Sequence, residues 1–173
     1  MSSRFGDPDD DPEGTGITIQ VDTREHAHAI QRILEHFDEE GVRYIFSKLY
    51  VGDYQRIDNG LLVVDRKQNL AEIANNLTQG HERFRNELER AKKAQIRVVV
   101  LCEHSSRIRC LEDVARWENP RLRESPGAIT GERMAKIMRT MSDRYGVEWA
   151  FCDKRQTGRR ILEILEVTDG EEN

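Results

Sequence analysis

The first part of the chain alternates between strand-like and helix-like patterns of apolar residues. Residues 17–21 alternate apolar and polar side chains, as a half-buried strand does. Apolar side chains then recur at helical spacing over residues 27–37, and Gly41 follows as a stop signal. The pattern therefore predicts a strand followed by a helix.

A β-hairpin is predicted next. Residues 42–57 are rich in β-branched and aromatic side chains, and residues 61–64 form a continuous apolar run. Between the two lies the sequence Asp58-Asn59-Gly60, which is a strong turn signal.

The second half is predicted to alternate helices with buried strands. One segment departs from this pattern, because residues 105–128 are rich in Arg and contain Pro and Gly. They predict a mobile excursion at the sheet edge that faces the substrate. The other predicted elements are a helix over 70–94 interrupted near Gly80, a strand over 98–102, a helix over 137–145, a strand over 147–152 and a helix over 161–165. This order predicts an α/β fold, a mixed β-sheet flanked by helices on both faces.

Composition sets the domain boundaries. The 173 residues, 37% of them hydrophobic, suit one domain, which we place at residues 17–167. Residues 1–16 are expected to form a disordered acidic leader, and residues 168–173 an acidic tail. The leader has a net charge of −4 and the tail of −3, which leaves the body at +2 out of a total of −5. Arg and Lys clusters in the body could meet phosphate, although many such clusters are solvated helix faces.

Composition also bounds the location of the protein. No apolar stretch is long enough for a membrane helix and no signal peptide is evident, so an intracellular protein without a membrane partner is expected. It would be cytoplasmic or nucleoid-associated, or nuclear in a eukaryote. The three cysteines form no pattern typical of disulfides or zinc.

The hairpin carries the candidate chemistry, and its register decides which side chains meet. A two-residue loop at Asn59-Gly60 would place Asp53 opposite Arg66, on the other face from Asp65. A three-residue loop with a bulge at Gly60 would instead place Asp53 directly opposite Asp65. Only this second register brings two carboxylates together.

In the second register Lys67 shares a face with both carboxylates, while Arg66 points to the other side. Opposed carboxylates repel unless a cation or a proton intervenes, and Mg²⁺ or Mn²⁺ is the natural candidate for oxygen ligands. Such an ion activates water and polarises a phosphoryl oxygen, and Lys67 could stabilise the developing charge.

Two further acids stand at the end of the first predicted strand. Strand ends and the loops after them often line the sites of α/β proteins, so Asp22 and Glu25 are candidates, and Asp22 could be a third metal ligand. The alternative is that Asp22 caps the first helix.

Three motifs together resemble a known family. They are Val21-Asp22-Thr23-Arg24-Glu25, Gly52-Asp53-Tyr54 and Asp65-Arg66-Lys67. They resemble the V-D-x-R-E, G-D-Y and E-R-K-x-x-x-D motifs of the nuclease domain of XPF-type structure-specific endonucleases. The resemblance covers residues 17–165 and implies a restriction-endonuclease-like fold.

The resemblance also implies roles for the individual residues. Asp22, Asp53 and Asp65 would surround the metal, and Lys67 would be catalytic. Arg24, Glu25 and Arg66 would support the catalytic site, and Arg83 would bind DNA near the scissile phosphate.

The chain departs from the family pattern at two positions. Asp65 replaces the usual Glu, and Ala71 replaces the downstream Asp, with Glu72 beside it. The sequence also ends before any helix-hairpin-helix domain, which in this family supplies DNA binding and dimer pairing.

The resemblance therefore implies a Mg²⁺-dependent (or Mn²⁺-dependent) DNA endonuclease. It would act on branched or junction DNA in repair, recombination or phage replication, as a homodimer or with a partner subunit. The alternative is a catalytically weak or inactive DNA-binding partner subunit of a nuclease complex. A hydrolase of another type has little support, since no Ser-His-Asp order, P-loop or Gly-rich cofactor loop occurs.

Overall fold

The computed structural model describes residues 16–167, so the predicted acidic tail and all but the last residue of the predicted leader lie outside the described residues. The strands are β1 (Thr18–Val21), β2 (Arg43–Phe46), β3 (Tyr54–Arg56), β4 (Asn59–Lys67), β5 (Arg97–Glu103) and β6 (Glu148–Cys152). The helices are α1 (Gln31–Glu39), α2 (Leu70–Leu77), α3 (His81–Lys93), α4 (Leu111–Arg116), α5 (Gly131–Tyr145) and α6 (Thr157–Ile164), with 3-10 turns at Pro120–Arg123 and Lys154–Gln156.

The six strands form one mixed sheet in the order β2-β1-β3-β4-β5-β6. β3 is antiparallel to both of its neighbours, β1 and β4. The remaining neighbours, β1 with β2, β4 with β5 and β5 with β6, are parallel. The predicted mixed sheet is therefore confirmed.

Helices cover both faces of this sheet, as predicted. On one face, Phe37 of α1 and Ile161 of α6 belong to the core that also holds Val21 and Leu101. On the other face, α2, α3, α4 and α5 pack over two further apolar clusters. No helix in the described part of the chain is long and apolar enough to cross a membrane.

β4 contributes to both layers, because successive side chains of a strand point to opposite faces. Leu62 and Val64 belong to the core beneath α1 and α6. Val63 packs instead against residues of α3. Continuing the alternation, Asp65 and Lys67 face the α3 side and Arg66 faces the α1 side.

The region predicted as one long strand before the turn is in fact two strands. β2 pairs with β1 at the sheet edge, and only β3 forms the hairpin with β4. The turn falls at Ile57-Asp58 rather than at 58–60. The apolar composition of residues 42–57 could not reveal the break, because residues 47–53 include buried Leu49 and Val51 although they form no strand.

The prediction of an excursion over residues 105–128 was wrong. This segment contains α4 and a 3-10 turn, and Val114 is fully buried against α5. A Cβ on Gly131 would lie 2.3 Å from the Val114 carbonyl oxygen, so α4 approaches α5 as closely as only glycine permits. A helix of six residues is too short to produce a recognisable apolar period, so the Pro and Gly residues around it dominate the sequence pattern.

Candidate active site

The hairpin of β3 and β4 brings the two predicted carboxylates together. Tyr54 pairs with Val64, so the residues one step further along, Asp53 and Asp65, lie opposite each other. The Asp53 backbone N–H donates to the Val64 carbonyl oxygen at 2.8 Å. The register that builds a site is therefore the one present, although its irregularity lies between Gln55 and Arg56 and not at Gly60.

Gly52 fixes the backbone just before Asp53. Its φ of +74° lies in the left-handed region, and a Cβ there would stand 3.1 Å from the Val63 Cβ atom. The Gly52 N–H also donates to Glu87 Oε1 at 3.3 Å. A hydrogen bond from α3 and a tight contact with β4 thus hold the backbone that carries Asp53.

The ionised form of Asp53 is disfavoured where it lies beside Asp65. Burial raises the pKa of Asp53 well above its usual range, and the negative charge of Asp65 raises it further. The Arg66 backbone N–H donates to Asp53 Oδ2 at 2.8 Å and offsets only part of this effect. The pair therefore needs a proton or a cation between its oxygens.

Lys67 supplies one positive charge beside the pair. Its ammonium lies 3.2 Å from Asp65 Oδ2 and 5.5 Å from the centre of the Phe84 ring. Burial acts to lower the pKa of Lys67, but the charges of Asp65 and Asp53 outweigh burial and raise it. Lys67 is therefore held as a cation at the edge of the acidic pair.

These side chains line a cavity of about 320 Å³ between the hairpin and α3. The cavity brings together seven of the residues predicted from sequence. They are Arg24, Glu25, Asp53, Asp65, Arg66, Lys67 and, from the start of α3, Arg83. The other polar lining residues are Glu72, Asn76 and Glu87, and Gly80 and Phe84 complete the lining.

Arg66 anchors the site from the opposite face of β4. Its guanidinium donates to Glu25 Oε2 at 2.9 Å and to Glu103 Oε1 at 3.1 Å. All three side chains are 10% exposed or less. The Tyr54 hydroxyl also donates to Glu25 at 3.2 Å, so a buried network connects β3, β4 and β5 to the loop that follows β1.

Asp22 lies apart from the cavity. Its side chain is fully buried, and its oxygens accept hydrogen bonds from Arg24 and from the Leu49 backbone N–H at 2.8 Å. Burial opposes ionisation, but the hydrogen bonds from Arg24 and Leu49 lower its pKa on balance. The structure thus uses Asp22 to tie Arg24 to the loop after β2. The alternative role as a helix cap is wrong, because the N-cap residue of α1 is Ile30.

The donor set can be tested for its fit to a metal ion. Within residues 16–167, no group of three or more Asp, Glu, His or Cys side chains is arranged to hold one. Mg²⁺, however, is commonly held by one or two carboxylates, with water and substrate phosphate completing its coordination. Asp53 and Asp65 meet that requirement, since the pair lines an open cavity and has only the single positive charge of Lys67 beside it.

Sequence reasoning misses three residues of the site, Glu103, Glu87 and Asn76, and signals exist for the first two. Glu103 ends a strand that was predicted as buried, and strand ends are where such residues are expected. Glu87 follows Arg83 by four residues on one helix, so the two share a face. Asn76 carried no signal, because its position depends on how α2 turns into α3.

The mixed six-stranded sheet covered by helices on both faces, with the hairpin at its centre, is a restriction-endonuclease-like fold. The family model described as "ERCC4 domain" matches residues 21–156. The chain therefore belongs to the ERCC4 domain family.

Solved structures share this fold. XPF from Aeropyrum pernix matches with a TM-score of 0.61 and 21% sequence identity, over 89% of this chain and 66% of that one. XPF from Aeropyrum pernix in complex with DNA matches with a TM-score of 0.59 and 22% identity, over 87% of this chain and 64% of that one. This chain thus spans slightly less than two thirds of those proteins. A search of curated proteins found no match.

Proposed function

We propose that the protein is a Mg²⁺-dependent or Mn²⁺-dependent endonuclease that hydrolyses DNA phosphodiester bonds. The observation that carries the proposal is the Asp53–Asp65 pair, with Lys67 3.2 Å from Asp65 in an open cavity. Directly opposed carboxylates destabilise a folded protein, and arrangements of this kind are expected mainly at functional sites.

Asp53 and Asp65 would hold the divalent cation. The cation would supply Lewis acidity that polarises a phosphoryl oxygen and activates water. Lys67 lies within reach of the same space and would hold the attacking water or the developing negative charge in position. Lys67 is therefore the proposed catalytic residue that is not a metal ligand.

The other charged residues of the cavity would attract and position the substrate. Arg83 lies at the first turn of α3 and would bind the phosphate next to the scissile bond. Arg66 and Glu25 are positioning residues, because their buried pair orients the strand that carries Asp65 and Lys67. Arg24 is held by Asp22 at the rim of the cavity and would contribute positive charge there.

Family membership and the motifs support DNA as the substrate. One solved structure with the same fold is described as a complex with DNA. Branched or junction DNA in repair, recombination or phage replication is the substrate that the resemblance to XPF-type nucleases implies. A homodimer, or pairing with a partner subunit, belongs to the same proposal.

Position 71 supports the rival proposal of a catalytically weak or inactive DNA-binding subunit. Ala71 stands where the family pattern has Asp, and it is exposed outside the cavity. Its neighbour Glu72 does line the cavity, although Glu72 Oε2 already accepts from the Gln68 N–H at 2.7 Å. The two proposals therefore differ in whether the carboxylates that line the cavity are enough to hold a catalytic metal ion.

Cleavage of a labelled panel of DNA substrates would distinguish them. Single strands, duplexes, flaps, forks and four-way junctions would be incubated with Mg²⁺, Mn²⁺ or EDTA. We expect metal-dependent cutting that is lost in Asp53→Asn and retained in Asp58→Asn, a matched control on the exposed turn of the same hairpin. Equal cutting by Asp53→Asn would reject this site. DNA binding without cutting would favour the inactive subunit.

A further inference from the structure

A groove larger than the catalytic cavity lies between α5 and the corner where α2 meets α3. Its volume is about 670 Å³, and its apolar part is formed by Leu77, Ile137, Met141 and Tyr145. Asn76 lines both this groove and the catalytic cavity, so the two spaces adjoin.

Positive charge surrounds this apolar surface. The groove is lined by Arg85, Arg133, Lys136 and Arg144, and Glu132 is the one carboxylate among its lining residues. Arg85 lies 3.9 Å from Glu89 outside the groove. For the other three cations, the described part of the chain offers no ion-pair partner. Such a surface suits a polyanion that also has apolar faces.

The Asn76 side chain provides a second, independent indication of a ligand site in the groove. Its Oδ1 atom is buried and has no hydrogen-bond partner among residues 16–167. Buried polar atoms are rarely left without a partner, and an unpaired one commonly marks a site that a ligand or water completes. This unpartnered oxygen lies on the one residue that lines both the cavity and the groove.

We propose that the groove binds the unpaired DNA strand that leads away from the catalytic cavity, an inference that rests on the proposed function. Phosphates would contact the cations, and bases would pack against Leu77, Ile137 and Met141 beside the Tyr145 ring, which has the Arg144 guanidinium 5.6 Å from its centre. The volume is that of a small-molecule site, which admits one or two nucleotides of a single strand and not a duplex. A second copy of the chain fits less well, because a symmetric contact would bring like cations together.

Binding of a fluorescent oligothymidylate of roughly 15 nucleotides tests the groove without requiring cleavage. The groove variant is Lys136→Gln combined with Arg144→Gln, and the control is Arg121→Gln combined with Arg123→Gln. All four side chains are exposed, each pair removes two positive charges, and the control pair lies outside both cavities. A blunt duplex of the same length would be measured in parallel, with the mass of each protein in solution.

The groove variant is expected to lose single-strand affinity and to show a weaker salt dependence. Each phosphate contact on a single strand adds about 0.7 to the slope of log affinity against log salt, so two lost contacts lower it by about 1.4. Over the tenfold range from about 1 M to about 0.1 M salt, a slope change of about 1.4 corresponds to a roughly 25-fold loss of single-strand affinity. The control variant and duplex binding should change little.

Other outcomes would overturn the inference. Equal losses in both variants would mean that binding follows net charge and not the groove. A loss confined to the duplex would assign the groove to double-stranded DNA. A change in mass with unchanged single-strand binding would assign it to a second copy. If the wild type binds through the groove but cuts nothing, the inference stands and the proposed nuclease activity fails.

Discussion

Replacing Asp53 by asparagine is expected to stabilise the folded protein at neutral pH in the absence of metal, while it abolishes cleavage. Asparagine has nearly the same shape and can still accept a hydrogen bond from the Arg66 N–H, which Asp53 Oδ2 accepts at 2.8 Å. It carries no charge to oppose that of Asp65. The change therefore removes the repulsion and little else.

The sign of this effect follows from the pKa of Asp53, which is raised in the folded state. Stability contributed by such a carboxyl is present below the pKa of the unfolded chain and is lost as the pH rises through the folded pKa. We therefore expect Asp53→Asn to be more stable than wild type at about pH 8, with the advantage shrinking towards about pH 4. A buried polar group without a compensating partner costs about 1–3 kcal/mol, and the gain should be of that order.

Urea unfolding of both proteins across this pH range would measure the difference, in excess EDTA and again in saturating Mg²⁺. Metal at 100 times its dissociation constant should stabilise the wild type by about 2.7 kcal/mol and the variant by much less. A stability difference that does not change with pH would refute the electrostatic reasoning. Equal stabilisation of both proteins by Mg²⁺ would show that the ion binds elsewhere.

Three further substitutions test other parts of the site. Lys67→Met should lower the single-turnover cleavage rate by roughly 10²–10³ while DNA affinity stays close to that of wild type, and equal losses of both would contradict a catalytic role. Arg66→Met leaves two buried glutamates without their cation and should cost about 3–5 kcal/mol in urea unfolding; a loss below about 1 kcal/mol would mean that the network contributes little. Gly52→Ala should destabilise the protein more than Gly146→Ala, because both have positive φ but only the first adds a close contact with β4. Equal losses in thermal unfolding would show that the contact at Gly52 is unimportant.

The sequence alone was enough to predict the mixed sheet and the Asp53–Asp65–Lys67 group. Both depend on local rules: strand alternation places Asp65 and Lys67 on one face, and a short hairpin limits Asp53 to a few partners. The register present is one of the two that the turn sequence predicts, although the chain reverses at Ile57-Asp58 and not at residues 58–60.

What the sequence could not show depends on contacts between distant segments. Glu103 meets Arg66 because β5 lies parallel to β4, a pairing that no local pattern encodes. Asp22 was expected at the metal because it follows a strand, yet Leu49 and Arg24 supply the donors that turn it into an anchor. The strand position of Asp22 is thus predictable from sequence, whereas the hydrogen bonds that hold its side chain away from the cavity are not.

The irregularity between Gln55 and Arg56 separates the tip of the hairpin from its base. Pairing at the base is set by Gly52 and by the contacts of Tyr54, so it does not depend on how the chain reverses at Ile57-Asp58. We therefore expect a peptide or label inserted at the exposed Asp58 to leave Asp53 in place relative to Asp65, while Ile57 keeps its hydrogen bond to the Thr18 carbonyl oxygen at 3.0 Å. For protein engineering, this makes the hairpin tip a permissive attachment point on the same element that carries the acidic pair.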